Sequence, residues 1–184
     1  MRIISGKARG TKLYTLDGVN TRPTLDRVKE SLFNIIQNDL LDADILDLFS
    51  GSGALALESL SRGAKQAVLC DNNIEAIKII KKNIEKCHLE KNTNVVYADY
   101  KSCLKKINKK FDIIFIDPPY KLDIAVKAIN LIEEYDLLKE DGIIILETDE
   151  EKRELTEIDN NKNINIKDLR RYGRVKLIFL NRKG

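Results

Sequence analysis

Histidine and cysteine, which supply most metal ligands and many catalytic nucleophiles, are scarce in this sequence. Its 184 residues include one histidine, His88, and three cysteines that form no Cys-x-x-Cys pair. We therefore expect no metal ion, and neither a zinc site nor a Ser-His-Asp triad. An odd number of widely spaced cysteines also indicates reduced thiols rather than a disulfide framework, at Cys70, Cys87 and Cys103.

Long apolar runs are missing as well, even though 43% of the residues are hydrophobic. No stretch approaches the ~20 apolar residues that a membrane-spanning helix needs. Residues 1–7 contain no apolar segment of the kind that marks a signal peptide. The length fits one domain with enough buried area for a core. We expect a single cytoplasmic domain without a membrane contact, and a monomer.

Positive charge is concentrated at the two ends of the chain, although the net charge is only +3. Residues 1–30 hold seven Lys and Arg against three acids, and residues 169–184 hold six and no acid. The planar fork of arginine suits phosphate better than the ammonium of lysine does. Such ends either keep the protein soluble or dock a polyanion where they meet, and we favour a nucleic acid. The candidate contacts are Arg2, Lys7, Arg9, Arg22, Arg27, Arg170 and Arg171.

Proline is rare too, and two of the three prolines stand side by side after an apolar run. The run Phe111–Ile116 predicts a strand, and Pro118 and Pro119 must end it because proline cannot donate to a sheet ladder. The resulting elbow presents Asp117, the Pro118 carbonyl and the Tyr120 ring at a strand's carboxyl end, where open α/β sheets bind ligands. It suits a planar base with an exocyclic amine, since the ring can stack and the two acceptors can hold the N–H groups. A plain turn with a surface tyrosine is the alternative.

Apolar strands alternate with amphipathic helices along the rest of the chain. Helices are predicted over 24–38, with Thr24 as the N-cap, and over 54–60, 73–87, 122–134 and 149–157. Strands are predicted near 45–49, 68–70, 95–98, 111–116, 143–147 (after a turn at 138–142), 164–168 and 173–181. The last two strands leave no room for a crossover helix and must pair antiparallel. The pattern predicts an α/β fold with a mostly parallel seven-stranded sheet, one reversed strand, helices on both faces, and a small N-terminal β-hairpin from 2–5 and 12–15.

An aspartate lies at the carboxyl end of each of the first four predicted strands of the sheet: Asp47, Asp71, Asp99 and Asp117. After the first strand, the glycine turn Ser50–Gly53 leads into a helix and forms a backbone cradle for a ligand. The glycine pattern fits G-x-G-x-x-A, and Asp71 stands twenty residues after the first glycine, as in dinucleotide-binding proteins. An NAD-linked oxidoreductase is therefore one interpretation.

Three features favour S-adenosylmethionine over NAD. Asp47 precedes the glycine turn, where it would repel a pyrophosphate but suit a cationic amino group. With His88 as the only histidine, no obvious proton relay for hydride transfer is present. The C-terminal antiparallel hairpin fits a methyltransferase sheet better than a paired nucleotide fold. A nucleic-acid-binding module without catalysis is a third interpretation, which leaves the glycine turn and the acids unexplained.

Several segments together resemble one known family. They are Arg2–Gly6 with Arg9-Gly10, Thr21–Thr24 through Asp26–Val28 and Glu30–Asn34, Asp47–Gly53, Asp117–Tyr120, and Tyr172-Gly173. With these segments the chain resembles class I methyltransferases that carry an Asp-Pro-Pro-Tyr motif and, more narrowly, the bacterial small-subunit rRNA (guanine-N2)-methyltransferase D family. Ser5 stands where that family commonly has glycine.

The resemblance implies a Rossmann-like class I fold, S-adenosylmethionine as cofactor, and 16S rRNA in a small-subunit particle as partner. It implies methyl transfer to N2 of a guanine, at position 966 of that rRNA, whereas the elbow by itself suits adenine N6 equally well. Residues 21–184 would form the catalytic core, and residues 1–20 a hairpin extension. The implied catalytic residues are Asp117, Pro118, Pro119 and Tyr120. The implied cofactor contacts are Asp47, Phe49, Ser50, Gly51, Ser52, Gly53, Asp71, Asn72, Asp99, Tyr100 and Asp117.

Overall fold

The computed structural model of the chain describes residues 1–16, 23–119, 123–149 and 151–184. The helices are α1 (Pro23–Ile35), α2 (Ala54–Ser61), α3 (Ile74–Cys87), α4 (Tyr100–Lys106), α5 (Ala125–Glu134) and α6 (Glu151–Asp159). The strands are β1 (Asp44–Asp47), β2 (Gln66–Asp71), β3 (Thr93–Tyr97), β4 (Phe111–Ile116), β5 (Leu138–Thr148), β6 (Ile164–Tyr172) and β7 (Val175–Arg182).

The seven strands form one sheet in the order β3-β2-β1-β4-β5-β7-β6. The first five in this order pair in parallel, and β7 pairs antiparallel with both β5 and β6. Gly173 and Arg174 alone separate β6 from β7, so the chain has to turn directly back on itself there. The predicted mostly parallel sheet with one reversed strand is confirmed.

Helices cover both faces of the sheet because successive strand residues point to opposite sides. On one face α1, α2, α3 and the N-terminal segment pack against residues such as Ile45 and Ile113. On the other face α4, α5 and α6 pack against the next residues in the strands, such as Leu46 and Ile114. Burial on both faces explains why β4 is apolar almost throughout.

The predicted boundaries were wrong where tertiary contacts outweigh the local pattern. Helix α4 was not predicted because it is short and lysine-rich, and it begins directly after Asp99, whose carboxylate accepts a hydrogen bond from the Ser102 N–H. The predicted turn at 138–142 is the start of β5, since Leu138 pairs with Phe111 ahead of a register shift. Helix α1 already includes Thr24, so that residue is not the N-cap.

The N-terminal segment folds against the helices rather than forming the two regular strands that were predicted. It contains one antiparallel bridge, between Arg2 and Lys12, and it buries Ile3 in the core. Gly6 approaches the end of α2 so closely that a Cβ atom there would lie 1.8 Å from the Ser61 carbonyl oxygen. The tight fit, together with a φ of +83° at Gly6, restricts this position to glycine.

A buried carboxylate joins this segment to α1 and α2. Glu58 on α2 is fully buried and accepts hydrogen bonds from the backbone N–H groups of Ile4, at 2.8 Å, and Ser5, at 3.0 Å. The same carboxylate pairs with Arg62 Nε at 2.8 Å and with Lys29 Nζ of α1 at 3.3 Å. Lys29 in turn donates to the Arg2 carbonyl at 2.6 Å. Four groups from three segments are therefore satisfied by one side chain.

None of the helices in the described part of the chain is long and apolar enough to span a membrane.

We predict that Glu58→Ala lowers the free energy of unfolding by about 3 to 5 kcal/mol, because it leaves the buried Lys29, the partly buried Arg62 and two backbone donors without their acceptor. Urea denaturation of both proteins measures this difference. Glu75→Ala is the control, since its ion pair with Lys78 is largely exposed and such pairs contribute about 0.5 kcal/mol or less. Equal losses in the two variants would contradict a central role for Glu58.

Candidate active site

The glycine turn lies at the carboxyl end of β1 and leads into α2. Gly51 has a φ of +58°, and a Cβ atom built on it would meet no atom within 4 Å, so its backbone faces open space. The Gly51 N–H donates to Asp71 Oδ2 at 2.8 Å, and the other carboxylate oxygen of Asp71 accepts from the Asn73 N–H at 2.9 Å. The end of β2 thus fixes the position of the turn.

Three carboxylates stand in a row at the carboxyl ends of β1, β4 and β5. Asp47 pairs in register with Phe115, which pairs on its other side with Ile145. Asp117 lies two residues after Phe115, and Glu147 lies two residues after Ile145. Both therefore project from the same face of the sheet as Asp47. The register alone makes Asp117 and Glu147 neighbours, since the residues before them, Ile116 and Leu146, lie directly opposite each other on β4 and β5.

A cavity of about 220 Å³ connects this row to the glycine turn. Helix α1 and the N-terminus form its other wall and contribute mostly apolar side chains. Besides the three carboxylates, the cavity is lined by Met1, Leu25, Val28, Lys29, Leu32, Phe49, Ser50, Gly51, Ser52, Ala54 and Leu55.

Burial raises the pKa of two of the carboxyl groups. The pKa of Asp47 rises from its usual 3.8 to about 7, chiefly because the side chain is buried, with the nearby charge of Asp71 adding to the effect. Burial raises the pKa of Asp117 well above its ordinary value too, and the negative charges of Glu147 and Asp47 push it further. The carboxyl groups of Asp47 and Asp117 therefore hold their protons more readily than free aspartates do.

Among the described lining residues Lys29 is the only lysine or arginine, and its ammonium group is bonded outside the row of carboxylates. Its ammonium group contacts Glu58 and the Arg2 carbonyl, and burial lowers its pKa. Asp47 Oδ2, by contrast, is buried and accepts no hydrogen bond from the part of the chain that the structure describes. A buried, unpartnered carboxylate oxygen next to an open glycine turn is suited to a cationic ligand group.

These residues fit S-adenosylmethionine better than NAD. The α-amino group and the sulfonium of S-adenosylmethionine are both cationic, and Asp47 offers an unsatisfied acceptor beside the Ser50–Gly53 backbone. The pyrophosphate of NAD would face Asp47, Asp117 and Glu147 in one cavity, where like charges repel.

The other predicted cofactor contacts lie along the same sheet edge, outside this cavity. Within the described residues Asp71, Asn72, Gly53, Asp99 and Tyr100 do not line it. Asp71 holds the glycine turn, as above. Asp99 is exposed and caps α4, with its carboxylate accepting from the Ser102 N–H and hydroxyl. The Tyr100 ring packs on Phe49, with 5.7 Å between the ring centroids, and so supports one wall of the cavity.

The elbow is described in part. Asp117 lines the cavity, Pro118 is buried and Pro119 is exposed. Tyr120 lies outside the described residues, so its predicted stacking role stays a prediction.

Two charged side chains that line the cavity, Glu147 and Lys29, were missed by the sequence analysis. Glu147 ends a predicted strand in the same way as the four aspartates do, and that shared signal could have identified it. Lys29 has no such signal, since its spacing in α1 is that of an ordinary core-facing position.

The structure brings several of the predicted basic residues together next to this cavity. Arg2, Arg9 and Arg27 line a second concavity, with Asp26 and Glu30. Met1 and Leu25 line the first cavity while their chain neighbours Arg2 and Asp26 line the second, so the two are adjacent. Lys7 is exposed in a shallow groove near the end of α2, and Arg22 lies outside the described residues.

The basic C-terminal region is divided by the β6–β7 hairpin. Arg170, Arg171 and Arg174 are exposed near its turn, which lies at the carboxyl end of the sheet because Thr148 of β5 pairs with Lys176. The Tyr172 hydroxyl is hydrogen-bonded to Ser31 of α1, which brings this turn beside the N-terminal arginines. Arg182 lies at the opposite edge and pairs with Asp136. The turn that carries Arg170, Arg171 and Arg174 is therefore held against α1, while Arg182 lies at the other end of the sheet.

The order of the strands, the reversed β7 and the glycine turn after β1 define a Rossmann-like fold of the class I methyltransferase type. The solved structure of Escherichia coli YhhF, provisionally titled a methyltransferase, superimposes with a TM-score of 0.86 at 33% identity, covering 100% of this chain and 98% of that one. The family described as Conserved hypothetical protein 95 matches residues 1–181, and the chain belongs to this family.

Two relatives give the family its functional context. A Bacillus subtilis protein provisionally named rRNA methyltransferase YlbH is 42% identical over 154 residues, which are 82% of this chain and 84% of that protein. Ribosomal RNA small subunit methyltransferase D of Haemophilus influenzae is 38% identical over 160 residues, 85% of this chain and 82% of that protein. These names agree with the resemblance seen in the sequence and favour a methyltransferase over an NAD-linked oxidoreductase.

We predict that Asp47→Asn raises the melting temperature of the free protein, and that the gain widens as the pH rises from about 5 to about 7.5. With a pKa near 7 in the folded chain against 3.8 ordinarily, Asp47 ionises first in the unfolded chain, so rising pH destabilises the native protein across this window. The change is at most about 1.4 kcal/mol per pH unit. Thermal melts at both pH values measure it.

Asp141→Asn, an exposed carboxylate on β5, is the control and should melt like the wild type at each pH. A gain of the same size at both pH values would show that Asp47→Asn acts through packing and not through ionisation.

Proposed function

We propose that this protein transfers a methyl group from S-adenosylmethionine to N2 of a guanine in 16S rRNA of the small ribosomal subunit, at position 966. The observation that carries the proposal is the single cavity that joins the glycine turn to Asp117 of the Asp-Pro-Pro elbow. The relatives named as rRNA methyltransferases support the substrate class. The whole chain, 1–184, acts in this proposal as one catalytic domain.

On the cofactor side, the Ser50–Gly53 backbone would cradle the methionine part, and Asp47 Oδ2 would accept from its ammonium group. The carboxylate oxygens of Asp71 each keep a second lone pair for the ribose hydroxyls after bonding to the backbone. Asp99, together with Asn72 and the Tyr100–Phe49 ring pair, would border the adenine. When bound, S-adenosylmethionine supplies an activated methyl group, and the protein supplies position and orientation.

On the substrate side, the Asp117 carboxylate and the Pro118 carbonyl would accept hydrogen bonds from the exocyclic amine and aim its lone pair at the methyl carbon. The amine needs no strong base beforehand, because its proton becomes acidic only as the new C–N bond forms. The raised pKa of Asp117 then suits it to take up that proton. Tyr120 would stack on the base. An unpaired guanine is favoured, since removal from a stack costs a few kcal/mol in a duplex.

The basic residues near the cavity would hold the rRNA backbone. Arg2, Arg9 and Arg27 are exposed on one side of α1, and Arg170 and Arg171 stand at the β6–β7 turn. Phosphate contacts from both groups would position a strand so that one base reaches the elbow.

We predict that Asp117→Ala abolishes methyl transfer, by at least about a hundredfold in kcat, and leaves S-adenosylmethionine binding nearly unchanged. Transfer of tritiated methyl groups to small-subunit particles that lack the modification measures the first, with mass mapping of the product, and calorimetry measures the second. Asp141→Ala is the matched control and should retain activity. Equal loss of binding and turnover would contradict the proposed division between Asp47 and Asp117.

We predict that the double variant Arg9→Ala, Arg27→Ala binds the rRNA more weakly and with a flatter salt dependence. Each lost phosphate contact should reduce the slope of log Kd against log salt by about 0.7 to 0.9. Filter binding at several salt concentrations gives the slope. Lys91→Ala removes an exposed cation at the other edge of the sheet and should leave it unchanged. A wild-type slope in the double variant would exclude both arginines from the phosphate contacts.

A further inference from the structure

Glu147 occupies a place in the cavity that the mechanism above does not use. It lies next to Asp117 on the neighbouring strand and lines the same cavity. We propose that Glu147 reads the N1–H of the target guanine, so that the side-by-side carboxylates of Asp117 and Glu147 select guanine over adenine. This inference rests on the proposed function, and it supplies the discrimination that the Asp-Pro-Pro elbow alone lacks.

The edges of the two purines differ in a way that a carboxylate can detect. Guanine presents two neighbouring donors, the N1–H and the 2-amine. Adenine presents its 6-amine next to N1, which is a bare acceptor. An ionised carboxylate can only accept hydrogen bonds. A second carboxylate beside the one that holds the amine therefore bonds to guanine N1–H and repels the N1 lone pair of adenine.

The position of Glu147 suits this task better than those of the other carboxylates. Asp47 lies one strand further away, beyond Asp117 in the sheet, and directly beside the glycine turn. Asp71 and Asp99 lie still further from Asp117, at the ends of β2 and β3. In this proposal the ligands follow the order of the strands: the cofactor lies at the ends of β2 and β1, the target amine at the end of β4, and the N1 edge of the base at the end of β5.

The surroundings add to the selection. Leu25, Val28 and Leu32 of α1 line the same cavity as the carboxylates and make that side of it apolar. A hydrogen bond in such a place discriminates strongly, because an unmatched group there is left desolvated. A matched against an unmatched contact to a base edge corresponds to roughly tenfold to hundredfold discrimination.

The test uses a base that keeps the reacting amine and loses the N1–H. Small-subunit particles are reconstituted with guanine, 2-aminopurine or adenine at the target position, and kcat/KM for methyl transfer is measured for each. The 2-aminopurine base has the 2-amine next to a bare N1 acceptor. The wild type should prefer guanine over 2-aminopurine by roughly tenfold or more, and should leave adenine unmodified.

Glu147→Gln provides the decisive comparison. Its amide can donate to a bare N1, so the preference for guanine over 2-aminopurine should fall at least tenfold toward equality, while calorimetry shows unchanged S-adenosylmethionine binding. Glu140→Gln, an exposed glutamate at the other end of the same strand, should keep the wild-type preference. A structural role for Glu147 would lower both rates together and leave their ratio unchanged, which would overturn the inference.

Wild-type results decide the matter even if the variant fails to fold. Equal rates on guanine and 2-aminopurine, or methylation of adenine, would overturn the reading of N1–H by Glu147. Failure of the proposed function looks different, because the wild type would then transfer no methyl group to any of the particles.

Discussion

The buried ion cluster around Glu58 is the interaction on which the site depends. It holds the N-terminal segment and α1 against α2 by satisfying two backbone donors and two cations. That arrangement places Met1, Leu25 and Leu32 over the carboxyl end of the sheet, where they close the cavity. Without this wall the carboxylates at the ends of β1, β4 and β5 would face bulk water, and the raised pKa values of Asp47 and Asp117 would return toward the ordinary range.

The structure contains two clusters of charged side chains, one around Glu58 and one in the cavity. The carboxylate of Glu58 is paired with Arg62 and Lys29, so the ammonium group of Lys29 is bonded to Glu58 and not to the carboxylates of the cavity. Asp47, Asp117 and Glu147 line one cavity, and the pKa values of Asp47 and Asp117 are raised. Neighbouring carboxylates repel one another and destabilise the free protein, and a cationic ligand would reduce this repulsion. Such a cluster is characteristic of a binding site and not of a structural core.

Most of the strands and helices could be predicted from local pattern, because their apolar residues recur at the spacing of a strand or a helix. The Phe111–Ile116 run and the Ser50–Gly53 turn were recognisable for this reason, as was the final hairpin, which is too short for a crossover. Elements that depend on partners were missed. Helix α4 has few apolar residues, and the first residues of β5 form a strand because Phe111 lies opposite Leu138. The sequence analysis also predicted Asp47 and Asp117 as site residues. It did not include Glu147, although this residue lies at the carboxyl end of a predicted strand as they do.

What the sequence by itself determined is the set of acidic strand ends, the glycine turn, the proline elbow and the two basic chain ends, since each is a property of neighbouring residues. Only the tertiary structure decided which of them meet. Strand order and register, which are set by the packing of the whole sheet, place Asp117 beside Glu147 and bring both into one cavity with Asp47. The hairpin likewise separates the basic C-terminal residues, because β7 runs the length of the sheet between Arg174 just before its start and Arg182 at its end.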